Sequence, residues 1–270
     1  MSRTKTSAKS PMLLVLSLFA IARFGIGCGD SNTIIHVHGD AGTMDPDGGT
    51  TSDGGPPTDD GGTVADAGPG VDAGPPWNGG PLTCTTPGTY TNNYAGCGTE
   101  RWIVKTGSDS QAGAIALTPT GTTIALLGAL NGGKPYLNPP SSGRISPTET
   151  KLVFLRDVTI VLARLESDSD YHLGIQDPTF HTMIAEIPYP GGSGKCLDPG
   201  NPWSCLISRA RAAADLALMP TAAGKNPSVL ATIVGVPFYD FPHGQTDEAP
   251  NGIELHPVLA ICFGRGCTPM

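Results

Sequence analysis

The clearest structural signal in the chain is residues 151–165, KLVFLRDVTIVLARL. The Val, Ile and Thr residues in this stretch are typical of a β-strand, because β-branched side chains pack well on a pleated surface. The apolar alternation slips near Arg156 and Asp157, as it does where a β-bulge inserts an extra residue. The stretch therefore predicts one long, bent strand of the kind that serves both halves of a small barrel.

Shorter elements follow this strand in a definite order. Residues 171–175 alternate strictly between inward and outward side chains, and residues 181–187 predict a third strand. A helix is expected next, because Asn201 suits an N-cap, Pro202 suits the first turn and Pro220 stops the helical pattern. The next two segments, 229–241 and 253–263, are predicted strands.

Three strands, a helix and two strands form the succession found in an OB-fold. We therefore expect a mostly-β fold, with an OB-fold-like five-stranded barrel at about 147–264 and one capping helix. One short helix is expected within residues 115–130, ahead of the barrel, because Thr118 and Pro119 form a start signal and Ile124 and Leu127 share a face. The folded domain as a whole is assigned to residues 81–270.

The first 27 residues have the pattern of an export signal. Arg3, Lys5 and Lys9 precede an apolar run at 12–22, which is too short to span a bilayer. The small residues before Cys28 resemble the cleavage site of a bacterial lipoprotein signal peptide. That resemblance implies lipidation of Cys28, a membrane anchor and a location in the bacterial cell envelope outside the cytoplasm. An ordinary secreted protein with a free thiol is the alternative.

Residues 28–80 are rich in Gly, Asp and Pro, and no Lys or Arg occurs between Arg23 and Arg101. Such a composition buries too little apolar surface to offset the entropy of ordering, so it predicts a disordered tether. The whole chain has a formal net charge of −8. A mildly acidic folded part makes nucleic acid an unlikely partner, because binding its backbone requires clustered Lys and Arg.

The chain has seven cysteines, and lipidation of one leaves an even set. Three disulfides are therefore expected, in an oxidising compartment. Six cysteines allow 15 connectivities. Proximity in sequence favours three local pairs: Cys84–Cys97, Cys196–Cys205 and Cys262–Cys267. A zinc site is the rival, but neither a CxxC spacing nor paired histidine ligands support it.

Three blocks, 168–173 (DSDYHL), 181–188 (HTMIAEIP) and 251–258 (NGIELHPV), together resemble a group of exported bacterial proteins of unassigned function. That resemblance implies no chemistry. The chain is also similar to the thermonuclease OB domain, in which acidic residues after the first strand bind calcium. Asp168 and Asp170 stand in a comparable place. The chain departs from the nuclease pattern near its third strand, where His181 and Met183 stand in place of the expected arginine.

OB-folds commonly bind ligands across strands two and three and beside the loops joining strands one to two and four to five. In this chain those loops are 166–170 and 242–252. The candidate ligand-binding residues are Asp168, Asp170, His172, His243, Gln245, Asn251 and His256. The candidate calcium ligands, which would supply oxygen atoms, are Asp168, Asp170 and Asp247. Asp, Asn, Gly and Pro are also ordinary turn formers, so these loops have a purely structural alternative.

Two histidines lie on predicted strands, at positions that face away from the expected core. His172 and His256 are therefore expected on a solvated surface, and Glu254 lies two residues before His256 on the same face. His256 and Glu254 can act as a general base and the acid that orients it, but cross-strand hydrogen bonding is the commoner role of such residues.

The sequence thus favours a tethered, non-catalytic protein that binds a surface partner, either a peptide or an oligosaccharide. Calcium is the one cofactor considered. The alternatives are a calcium-assisted secreted hydrolase and a structural envelope component without a small ligand. Whether the chain is an enzyme stays open, with a non-enzymatic role favoured.

Overall fold

The computed structural model describes residues 76–191, 196–198, 200–241 and 243–270. The predicted signal peptide, lipidation at Cys28 and the tether up to residue 75 lie outside these residues. No helix in the described ranges combines the length and the apolar character that crossing a bilayer requires.

The described chain is mainly β-structure. Its helices are α1 (Trp102–Thr106), α2 (Ile124–Gly128) and α3 (Ser204–Ala217), and its strands are β1 (Thr120–Gly121), β2 (Val153–Leu165), β3 (Tyr171–Gln176), β4 (Thr182–Ile187), β5 (Val229–Tyr239) and β6 (Ile253–Phe263). Three short 3-10 turns complete the set, at Ala112–Ala114, Leu130–Gly133 and Thr148–Thr150.

Five of the strands close into a barrel. Their order is β2-β3-β4-β6-β5, and β5 pairs with β2 to close the barrel. Strand β1 is not one of these five strands and pairs with β2. The pairing of β4 with β6 is parallel, while the other barrel pairings are antiparallel. This is the strand order of an OB-fold, so the predicted fold class is confirmed.

Strand β2 carries the predicted bulge. Its register against β5 shifts between Leu155 and Val158, and Asp157 has a left-handed φ of 52°. The extra residue bends the strand, so that β2 pairs with β3, with β5 and with the short β1.

Helix α3 closes one end of the barrel. Its side chains Leu206, Ile207, Ala210 and Ala214 are buried in the main core. The side chain of Asn201 accepts a hydrogen bond from the Trp203 backbone N–H at 2.9 Å, and the helix itself begins at Ser204. Asn201 therefore shapes the turn before the helix and is not its N-cap residue.

The short helix expected within residues 115–130 is present, but it begins later than the Thr118-Pro119 signal indicates. Only Ile124–Gly128 is α-helical, and the Thr123 hydroxyl caps it by accepting from the Leu126 N–H. The Thr118-Pro119 signal instead precedes β1, whose two residues pair in parallel with β2. Pairing with β2 therefore prevails over the local helix signal in this segment.

Residues 84–107, which we call the strap, run across the outside of the barrel and hold to it by disulfides. Cys84 is bonded to Cys205 and Cys97 to Cys196, so two of the predicted local pairs are wrong. Pairing cysteines that are close in sequence gave the wrong result, because the strap lies in space beside the start of α3, which is about a hundred residues away in sequence. The third predicted pair, Cys262–Cys267, is confirmed. Three disulfides indicate that the chain folds in an oxidising compartment.

A buried ion pair also holds the strap. Arg101 donates two hydrogen bonds to the Glu149 carboxylate at 2.8 Å, and a third to the Tyr239 carbonyl oxygen at 2.7 Å. The carboxylate of Glu149 accepts two more hydrogen bonds, from the backbone N–H groups of Ile145 and Tyr239. These bonds fix the start of α1 against the barrel.

Candidate functional site

The outward-facing side chains of three adjacent strands form one polar cluster. His172 on β3 lies directly opposite Glu186 on β4, while Ile184 on β4 lies beside Glu254 on β6. His256 follows two residues after Glu254 and therefore faces the same way. Alternation along each strand thus brings two histidines and two carboxylates to one face of the sheet.

This face is buried, which corrects the expectation that His172 and His256 lie on a solvated surface. Both histidines have no exposed area, and Glu186 and Glu254 are 5% and 3% exposed. Helix α1 lies over this face, where Lys105 is close to the Phe238 ring of the same surface. The sequence correctly predicts that the side chains of His172 and His256 point away from the barrel core. It does not predict that the strap covers them, because the strap has no periodic hydrophobic pattern.

Glu186 lies between the two histidines. Its Oε1 atom is 3.0 Å from Nδ1 of His172, in hydrogen-bonding geometry, and its Oε2 atom is 3.1 Å from Nδ1 of His256. Glu166, at the end of β2, approaches the same His172 nitrogen at 3.7 Å. A single carboxylate therefore contacts both imidazole rings.

Asp170 closes the far side of the cluster. Its Oδ1 atom accepts a hydrogen bond from the Tyr189 N–H at 3.0 Å, and its Oδ2 atom lies 3.4 Å from Nε2 of His256. The Oε1 atom of Glu254 lies 3.6 Å from the other ring nitrogen of His256. The ring of His256 is thus surrounded by three carboxylates.

Several atoms of this cluster lack hydrogen bonds. Among the described residues, no partner in hydrogen-bonding geometry is present for Asp170 Oδ2, Glu254 Oε1, or Nδ1 and Nε2 of His256. The Nε2 atom of His172 is unpaired in the same sense. Buried polar groups are usually satisfied, because leaving one without a partner costs about 1–3 kcal/mol. This concentration of unpaired atoms is unusual for a purely structural network.

Burial and mutual repulsion perturb the ionisation of the acids. Burial raises the pKa of Asp170 to about 6, although the adjacent His256 acts to lower it. Burial and the nearby Glu186 raise the pKa of Glu254 to about 7. Burial would also raise the pKa of Glu186, but the two histidines hold it well below its usual value. Glu186 therefore stays ionised to lower pH than an ordinary carboxyl group, whereas Asp170 and Glu254 take up protons at higher pH than usual.

The nearby carboxylates raise the pKa values of the basic groups in and beside the cluster. Burial disfavours the charged form of His256, yet the carboxylates around it raise its pKa well above the usual value. The pKa of His172 is also raised, since Glu186 and Glu166 outweigh its burial. Lys105 on α1 has a raised pKa for the same reason, and Glu254 is the largest favourable contributor.

Two groups of side chains in the described ranges have the geometry to hold a metal ion. One consists of Asp170, Glu186 and His256, and the other of Glu166, His172 and Glu186; in each, the donor atoms lie within 4.8 Å of one another. The calcium set predicted from sequence was Asp168, Asp170 and Asp247. The structure brings only Asp170 of that set into either group.

The remaining predicted site residues lie elsewhere. Asn251 is buried, and its amide donates to the carbonyl oxygens of Leu127 and Leu130, so its role is to hold the α2 region. His243 is exposed and bonds the Phe241 carbonyl oxygen of its own loop. Gln245 lines only a shallow depression beside the 243–252 loop. Glu254 and His243 line the same depression, so the second predicted binding loop borders the polar cluster but contributes to neither group of candidate metal ligands.

The Asp247 carboxylate occupies the space over Gly174. A Cβ atom at Gly174 would lie 2.2 Å from the Asp247 Oδ2 atom, so the absence of a side chain on β3 makes room for this acid. Asp247 also has a left-handed φ of 67°. Its position is thus set by the turn and by the glycine opposite.

A polar cleft opens beside the cluster, between the strap and the loop after β2. Its volume is about 340 Å³, and it is lined by Cys97, Gly98, Thr99, Glu100, Trp102, Lys105, Ser167 and Asp168. Lys105 forms ion pairs with Glu100 at 3.3 Å and with Asp240 at 3.4 Å. Asp168, predicted as a ligand-binding residue, lies in this cleft and accepts the Asp170 N–H through its Oδ1 atom.

Sequence reasoning missed Glu186 and Lys105. A usable signal for Glu186 was present, because it occupies the outward phase of β4 as His172 and His256 do on the neighbouring strands of an OB-fold. Lys105 gave no such signal, since it comes from the strap.

Comparisons with known proteins offer no relative from which a role can be read. No family model, no curated protein and no solved structure matches the chain. The function is therefore inferred from the side chains and cavities of this domain.

Proposed function

We propose that the chain is a lipid-anchored protein of the bacterial cell envelope whose OB-like domain binds a surface oligosaccharide in the strap cleft. The observation that carries the binding proposal is the polar cleft of about 340 Å³ beside the ligand-binding face of the barrel. Ligand sites generally measure about 300–1,000 Å³, so the cleft has room for one or two sugar units.

The location part of the proposal rests on two independent features. The three disulfides support an oxidising compartment. The sequence before Cys28 resembles a lipoprotein signal, and an acidic, Gly-rich segment follows it as a spacer.

The barrel itself favours a saccharide over an extended peptide. Extended peptides commonly bind a β-sheet by adding a strand to an exposed edge. Every strand of this barrel pairs on both sides, and the one edge strand in the described ranges is the two-residue β1. Main-chain pairing with a peptide therefore has no suitable edge on the barrel.

The lining of the cleft matches a hydroxyl-rich ligand. Glu100 and Asp168 offer carboxylate acceptors, Lys105 offers a donor, and Trp102 supplies aromatic surface. Hydrogen bonds to charged groups contribute about 1.5–3 kcal/mol each, so a few of them can hold a polyhydroxylated ligand.

The test is binding of the purified chain to an array of neutral and amino-sugar oligosaccharides, followed by calorimetry on any that bind. The Asp168→Asn variant keeps the oxygen that accepts the Asp170 N–H but loses the charge, and binding should weaken about 10–100-fold. Asp198→Asn, an exposed carboxylate outside the cleft, is the matched control and should bind as the wild type does. Absence of glycan binding, or an Asp168→Asn variant with undiminished affinity, would contradict the binding proposal.

The anchor has a separate test. Mass spectrometry of protein from a bacterial envelope should show a mature chain that begins at an acylated Cys28, and Cys28→Ser should release the protein from membranes. An unmodified thiol at position 28 would contradict the anchor without affecting the cleft.

A further inference from the structure

We infer that Asp170, Glu186 and His256 form a binding site for a divalent transition-metal ion, which is distinct from the proposed saccharide cleft. The three residues come from the start of β3, from β4 and from β6, so the closed barrel fixes their relative positions. All three side chains are buried beneath the strap.

The spacing of the donor atoms suits an ion between them. Zinc binds nitrogen and oxygen ligands at about 2.0–2.1 Å, which places two ligands of a tetrahedral ion about 3.4 Å apart. The Oε2 atom of Glu186 lies 3.1 Å from Nδ1 of His256, and the Oδ2 atom of Asp170 lies 3.4 Å from Nε2, the other ring nitrogen. An ion bound to one ring nitrogen would have one of these carboxylates at the distance of a neighbouring ligand, and one donor atom from each of the three residues lies within 4.8 Å of the other two. Neither contact has the alignment of a hydrogen bond.

The unpaired atoms are the second observation that points to a ligand. Asp170 Oδ2 and both nitrogens of His256 are fully buried, and among the described residues they have no hydrogen-bond partner. A metal ion would bind one ring nitrogen and the carboxylate oxygens, while the other nitrogen donates to a carboxylate. Metal-bound histidines almost always make such a second contact. Glu254, 3.6 Å from Nδ1, is a further carboxylate placed to accept it or to join the ion.

The neighbouring group of Glu166, His172 and Glu186 is less suited to an ion. Glu166 is already paired with Arg164, and His172 Nδ1 forms a well-aligned hydrogen bond with Glu186. We therefore assign the ion to the His256 side of Glu186, with His172 as the residue that orients this shared carboxylate.

The donor set selects the class of metal. One imidazole and two or three carboxylates suit zinc, manganese or iron, whereas calcium takes oxygen ligands alone. Thiolate ligands are excluded within the described ranges, because all six cysteines there form disulfides. Zinc is the appropriate probe, since it has no redox chemistry of its own.

The experiment uses the untagged chain, stripped with EDTA and titrated with zinc. Zinc should raise the melting temperature, since an ion that binds only the folded state stabilises it. X-ray absorption at the zinc edge should show nitrogen and oxygen ligands at about 2.0–2.1 Å and no sulfur. No rise in melting temperature, or sulfur in the coordination shell, would overturn the inference.

Substitutions locate the ion. Loss of an orienting partner weakens metal binding about 10–100-fold, so His172→Asn should stay within that range, and His256→Asn should exceed it. Asp170→Asn is the conservative second variant, because it keeps the oxygen that accepts the Tyr189 N–H and should still weaken zinc binding at least about tenfold. His243→Asn, in the exposed loop, is the control and should bind as the wild type does.

Zinc affinity that survives both His256→Asn and Asp170→Asn would overturn the assignment. So would a chain in which His172→Asn abolishes binding and His256→Asn does not.

Discussion

The three disulfides should contribute unequally to stability, because they close loops of very different length. Cys84 and Cys205 are 121 residues apart, and Cys97 and Cys196 are 99 apart, whereas Cys262 and Cys267 are separated by only 5. A cross-link stabilises mainly by restricting the unfolded chain, by an amount that rises with the logarithm of loop length. As a sole cross-link, each bond would contribute about 4.9, 4.7 and 2.1 kcal/mol at 25 °C by the loop-entropy relation. Cys97–Cys196 lies within the loop of Cys84–Cys205, so with one of these two bonds in place the other closes a loop of only about 22 residues and contributes about 3.4 kcal/mol.

The perturbation is to replace both cysteines of one bond by serine, so that no free thiol remains. Because Cys97–Cys196 stays intact, Cys84→Ser with Cys205→Ser opens a loop of only about 22 residues and should lower the free energy of unfolding by about 3.4 kcal/mol, and Cys262→Ser with Cys267→Ser by about 2 kcal/mol. The second pair of changes is the matched control for the loss of sulfur and for the added hydroxyls.

Urea unfolding followed by circular dichroism and tryptophan fluorescence measures both losses in one series. The same protein, digested without reduction, should yield a peptide that joins the Cys84 and Cys205 segments. Equal losses for the two variants, a greater loss at the short loop, or a peptide that joins Cys84 to Cys97 would refute the reasoning.

Three further predictions concern single side chains. Gly107→Ala should cost about 2–4 kcal/mol in urea unfolding, because a Cβ would lie 2.0 Å from the buried Trp203 ring at a φ of +72°; Gly80→Ala, at a similar φ in open space, should cost about 1 kcal/mol or less. Glu149→Gln should cost about 3–5 kcal/mol, since it leaves a buried guanidinium without its counter-ion. The raised pKa of Glu254, about 7 against 4.5, means that stability falls as pH rises through this window. In EDTA, Glu254→Gln should therefore gain about 3 kcal/mol at about pH 8.5 and little at about pH 4.5, and an equal gain at both pH values would contradict this.

The barrel was predictable because its strands carry their own local signals. The alternation of residues 171–175 and the slip near Asp157 both depend on contacts within a single sheet. Each predicted barrel strand therefore begins and ends within about two residues of the observed one. The short helix within residues 115–130 is present, but its predicted start at Thr118 and Pro119 was wrong, because pairing with β2 outweighed the weak helical preference there.

The sequence predicted the direction of two histidines in the polar cluster but not their burial. The sequence indicates that His172 and His256 face away from the barrel core, and the structure bears this out. Their burial depends on residues 84–107, which form mostly irregular structure and contact the barrel through single side chains such as Arg101 and Lys105. Such non-repeating contacts leave no period in the sequence, and the long-range disulfides have the same property.

The position of the Cys84–Cys205 bond also determines how the domain responds to mechanical force. Residues 1–75 precede the described domain, so any pull exerted through them enters at Pro76 and Trp77, where the Trp77 ring packs 5.3 Å from that of Phe154. Beyond that contact, the Cys84–Cys205 disulfide transmits the force to Cys205 in α3. For force applied between residues 76 and 270, the Cys84–Cys205 disulfide bypasses residues 85–204, so the segment that covers the histidines is shielded from that force.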